Sequence, residues 1–161
     1  MTSVIRTAIA VALLATSPQP VRIEKPAPLE FDPVVALFKK MTKVLPARMH
    51  GRCVVFSLGE AYRANDHVES IIVVTEDPPR LAVSFLISGD YGMNFVSEFF
   101  EAPFFTRDES EKFYALLYAP MGNSAARFPR FTLDFTRVET PEWHFISMSF
   151  GPPHMPRSPV Q

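Results

Sequence analysis

The sequence predicts an α+β fold: a two-layer domain of about five mainly antiparallel strands, in the order α-βββ-αα-ββ, with helices covering one face. Three observations predict it. An amphipathic stretch lies at residues 33–45, alternating stretches lie at 81–88, 131–138 and 143–150, and the connections between neighbouring strands are short. Short connections favour antiparallel neighbours, and helices are then needed to cover the apolar side of the sheet.

Each element has its own signal. In residues 33–45, Val34, Leu37, Phe38, Met41, Val44 and Leu45 share one helical face. Asp32 suits the N-cap, Pro33 the first helical position, and Lys39, Lys40 and Lys43 the negative end of the helix dipole. Strands are expected at 52–58, at 67–75 through Ile71, Ile72, Val73 and Val74, and at 81–88. Glu76-Asp77-Pro78-Pro79 forms a tight turn between the last two. Gly89-Asp90-Tyr91-Gly92 is expected to end the third strand. Met93, Val96, Phe99 and Phe100 then show helical spacing up to Pro103. A second short helix starts at Thr106, because Glu109 three residues on completes a capping box. Pro120, Gly122 and Asn123 stop it. A hairpin closes the fold, 131–138 and 143–150, turning near Glu139-Thr140-Pro141-Glu142. This element order resembles that of the small chaperones of type III secretion effectors, in topology and without a shared motif. Those chaperones are cytosolic, which an export leader contradicts.

The ends read differently from the middle. Residues 1–30 have the layout of an export leader followed by a Pro-rich linker. Arg6 precedes the apolar run Ala8–Ala15, helix breakers follow at Pro18 and Pro20, and no acidic residue comes before Glu24. The run is too short to span a membrane, which takes about 20 residues. Residues 151–161 form a Pro-rich tail, expected to be disordered, and residues 31–150 the single folded domain. A secreted or periplasmic location follows from the leader. A mitochondrial one is the alternative, since Arg6, Arg22 and several Ser and Thr also suit a presequence.

Composition narrows the function. The formal net charge of −1 and the lack of a basic stripe remove the electrostatic drive for nucleic-acid binding. Arg127-Phe128-Pro129-Arg130-Phe131 mixes cations with aromatics, as single-strand platforms do, but lacks their glycines and reads as core at a strand entry. Neither a phosphate-binding glycine pattern nor a nucleophile elbow occurs. Four scattered histidines and the single Cys53 give no metal-ligand spacing, so neither a metal nor a cofactor is expected. Cys53 beside His50 and Arg52 has the makings of a nucleophile; its simpler reading is a small buried hydrophobe. Glu60, Asp66, His67 and Glu69 gather acid and imidazole around one loop, which suits general acid–base work or a solvated loop.

The aromatic surplus is the clearest binding signal. Fifteen phenylalanines occur, and Phe99, Phe100, Phe104 and Phe105 crowd seven residues. Adjacent residues on a helix diverge by about 100°, so Phe99 and Phe100 cannot share one narrow face. Core filling accounts for them in one reading; in the other they form a surface for a ligand or partner. The functional expectation is a small exported, non-catalytic binding domain for a protein or an apolar ligand. An exported hydrolase-like enzyme using the His67 loop or Cys53 is one alternative, and an organelle-targeted assembly subunit another.

Overall fold

The computed structural model describes residues 25–59 and 70–154. Among these residues it is a mixed α/β fold with three helices and one open sheet of seven antiparallel strands. In chain order the elements are α1 (Phe31–Thr42), β1 (Ala47–Arg48), β2 (Cys53–Ser57), β3 (Ile71–Asp77), β4 (Arg80–Ile87), α2 (Gly89–Phe100), α3 (Arg107–Leu117), β5 (Gly122–Arg127), β6 (Thr132–Glu139) and β7 (His144–Gly151). The sheet order is β1-β2-β3-β4-β7-β6-β5. Residues 1–24 of the expected leader and linker (1–30), the His67 loop and the last seven residues lie outside the described residues.

Seven strands replace the expected five. β1 is two residues long and carries no alternation to read. β5 runs through Gly122, Asn123, Ser124, Ala125 and Ala126, small residues with weak strand preference, where the sequence suggested only a helix stop. α1 also starts earlier than expected. Glu30 rather than Asp32 is its N-cap, and Lys43 ends it in the left-handed conformation at φ 56°. The Gly89–Gly92 stretch opens α2 instead of forming a turn. Gly92 permits this, because a Cβ there would lie 2.7 Å from Ile87 Cβ at the end of β4.

Alternation decides which side of each strand is buried. Val54 and Phe56 on β2, Ile72 and Val74 on β3, and Leu81, Val83, Phe85 and Ile87 on β4 are buried. Leu133 and Phe135 on β6 and Ile146, Met148 and Phe150 on β7 continue that face. These residues form one cluster with Val34 and Phe38 of α1, Phe99 and Phe100 of α2 and Phe113 of α3. Its centre is aromatic. Phe99 has ring centroids 5.3 Å from Phe38, 6.1 Å from Phe85 and 5.3 Å from Phe105. Edge-on and tilted contacts of this kind add stability beyond area burial.

The capping box at α3 forms as expected. Thr106 Oγ1 accepts the Glu109 N–H at 3.3 Å, and Glu109 Oε2 accepts the Thr106 N–H at 2.8 Å. Glu109 is itself buried, and Arg130 meets it with two donors, Nη2 to Oε2 at 2.6 Å and Nε to Oε1 at 3.1 Å. Arg130 also donates to the Phe104 carbonyl at 2.8 Å. One guanidinium thus ties the β5–β6 turn to the connection between α2 and α3.

Candidate binding surface

The four phenylalanines expected at a binding surface are all buried: Phe99 and Phe100 fully, Phe104 and Phe105 nearly so. Pro103 breaks the chain between α2 and α3, and the connection folds inward, so Phe105 meets Phe113 edge-on at 4.8 Å and stacks on Phe150 at 5.7 Å. They belong to the core cluster. Fourteen of the fifteen phenylalanines are buried. The fifteenth, Phe145, is half-buried on the opposite face of the sheet.

Strand register assembles that outer face into rows. Ser57 pairs with Ile71, Ile71 with Leu86, Leu86 with Phe145, and Phe145 with Val138. This row crosses β2 to β6 and is apolar from Ile71 onward. A second row, Val55, Val73, Ser84, Ser147 and Thr136, becomes polar halfway along. Ser84 Oγ and Ser147 Oγ bond to each other at 2.8 Å, so their hydroxyls are satisfied within the sheet. The third row is Cys53, Thr75, Ala82, Ser149 and Asp134. Arg80 closes this end by pairing with Asp134 and donating Nε to Ser149 Oγ at 3.1 Å. The outer face therefore grades from apolar near Phe145 to charged near Arg80. Cross-strand neighbours this close interact directly, so each row behaves as one strip.

Of the groups singled out for chemistry, Cys53 and His50 lie among the described residues. Cys53 was expected in the core but lies half-buried on the outer face, because it shares the outward phase of β2 with Val55. Thr75 Oγ1 donates to its Sγ at 3.6 Å. His50 is exposed in the β1–β2 connection. Glu60, Asp66, His67 and Glu69 are outside the described residues. Among the described residues, no group of three or more His, Cys, Asp or Glu could hold a metal.

Among the described residues, three groups have displaced acidities, each with a structural cause. Burial raises the Glu109 carboxyl, but the Arg130 and Thr106 hydrogen bonds outweigh it and hold it below the usual carboxylate range. Burial and a hydrogen bond to Glu101 raise the Tyr114 phenol. An Arg137 hydrogen bond lowers Glu139, which also sits 3.7 Å from His144 Nδ1.

Large exposed apolar side chains gather at the sheet edges. Leu45 (79% exposed) and Met49 (57%) flank β1. Tyr118 (81%) and Met121 (60%) precede β5, and Val138 (42%) lies beside them on β6. Met121 immediately precedes Gly122, which pairs with Arg137, so it extends the Phe145–Val138 row toward the β5 edge. Sequence reasoning missed this surface because the rows join strands distant in the chain. The outward phase of Phe145 was readable; its neighbours were not.

Among the described residues, no helix is long and apolar enough to cross a membrane. No family model, no curated protein and no solved structure matches this chain.

Proposed function

We propose that the chain is a small exported two-layer domain that binds without catalysis, and that it binds through the outer sheet face. The observation that carries this reading is the apolar row Ile71, Leu86, Phe145 and Val138. Those side chains sit on the face opposite the aromatic core and are half-buried or exposed. Burying them against a partner recovers apolar area still in contact with water, at roughly 25 cal/mol per Å². The neighbouring small residues Ala82, Ser84, Ser147 and Ser149 keep the strip beside the row shallow. That shape suits a protein surface or an apolar ligand lying flat across the strands. The leader supports export, with a secreted or periplasmic destination.

An apolar fluorescent probe, anilinonaphthalene sulfonate, tests the surface. Binding is followed by probe emission and by Trp143, the single tryptophan, two residues from Phe145. Leu86→Ser with Phe145→Ser is expected to remove most probe binding while the protein stays folded. Unchanged probe binding in that double variant would overturn the reading. N-terminal sequencing of the mature protein tests export: the first residue is expected between Leu13 and Pro28, and a mature chain that still begins at Met1 or Thr2 overturns it.

A further inference from the structure

β5 is an edge strand, and its open side has no strand partner among the described residues. Edge strands are normally guarded by charge, proline, a bulge or shortness. The other edge, β1, is only two residues long. β5 has six residues, regular pairing with β6, and no proline or charge until Arg127 at its end. Its backbone phase follows from the turn. Phe128 donates its N–H to the Phe131 carbonyl at 2.9 Å, closing a two-residue loop at Pro129-Arg130. Bonded and non-bonded pairs alternate in an antiparallel ladder. Ser124 and Ala126 therefore bond to β6, and the N–H and C=O of Asn123, Ala125 and Arg127 point to the open side.

We infer that this edge pairs with a second copy of the chain, antiparallel across a two-fold axis at Ala125, giving one continuous sheet of fourteen strands. The register is self-complementary. Ala125 faces Ala125 of the other copy, Asn123 faces Arg127, Ser124 faces Ala126, and Gly122 faces Phe128. Each facing pair lies on the same side of the sheet, and none sets like charges together. The same register brings exposed Met121 opposite Pro129 of the other copy. The two-fold repeats this contact, so Met121 of each copy meets Pro129 of the other. Isologous closure uses up the unguarded edge, so this pairing does not propagate into fibres. The inference goes beyond the binding proposal and does not need the outer face to bind anything.

Sedimentation equilibrium of the full chain (18.1 kDa) from micromolar to hundreds of micromolar tests it. The expected mass is twice that of the chain. Ala125→Glu and Ala125→Lys each place like charges together at the axis and are expected to be monomers. Mixing the two variants is expected to restore the dimer mass, because the charges then oppose. Met121→Ser, which leaves the strand untouched, is expected to weaken the dimer on the order of tenfold. A wild-type monomer throughout overturns the inference, as does a dimer that survives both charge variants. Two folded monomeric variants that fail to pair when mixed also overturn it, and point to an extended peptide of another protein as the occupant.

Discussion

The two faces of the sheet are built from opposite materials. The inner face carries Phe56, Phe85, Phe135 and Phe150 against Phe38, Phe99, Phe105 and Phe113. Facing the other way on the same strands are Ala82, Ser84, Ser147 and Ser149. Large rings fix the inner face, since each touches several others and none can be removed without a void. Small residues leave the outer face shallow, so the few large groups there, Ile71, Leu86 and Phe145, stand out. The contrast teaches that phenylalanine surplus marks stability here, and phenylalanine scarcity marks the surface.

The largest effect that can break this contrast is at Phe99. Its ring meets four others, including Phe150 at 6.3 Å. Phe99→Ala is expected to cost about 3–5 kcal/mol in urea unfolding. Phe145→Ala, on the other face, is expected to cost about 1 kcal/mol or less. Equal costs would erase the distinction between the faces.

Arg130→Ala comes next. It leaves the buried Glu109 carboxylate with only its capping bonds. A loss of about 2–3 kcal/mol is expected at neutral pH, less than for a fully buried pair because Arg130 is partly exposed. The pH dependence has a definite sign. Glu109 is more acidic folded than unfolded, so its contribution is fully present above the ordinary carboxylate range. It is lost as pH falls through the folded value. Stability is thus expected to drop below about pH 4.5, and Arg130→Ala to flatten that part of the curve. Parallel curves for the two proteins would show that the pair is not the cause.

The sequence made these regions legible to different degrees. Long periodic elements were readable: α1, β4, β6 and β7 lie within about two residues of their expected ends at most boundaries. The α3 cap was readable because Thr106 and Glu109 answer each other locally. β5 was not, because Gly122, Asn123 and Ser124 are turn formers and only pairing with β6 makes them a strand. The candidate surface was illegible for a related reason. Phe145 becomes part of a strip only when β7 lies between β4 and β6, an arrangement that joins residues nearly sixty apart in sequence.

The smallest expected effect compares two adjacent residues. Cys53 and Val54 are neighbours on β2 with opposite phases, Cys53 half-buried outside and Val54 buried inside. Val54→Ala removes core contacts and is expected to cost about 1.5–3 kcal/mol. Cys53→Ala removes one sulfur from a half-exposed site and a weak bond from Thr75, and is expected to cost about 0.5–1 kcal/mol. Thiol labelling sharpens the comparison. A thiol on the outer face reacts without global unfolding, so its labelling rate is expected to be unchanged by Phe99→Ala, which destabilises only the folded core. A rate that rises in step with the loss of stability would place Cys53 behind the same barrier as Val54, and the outer face would then not be open at β2.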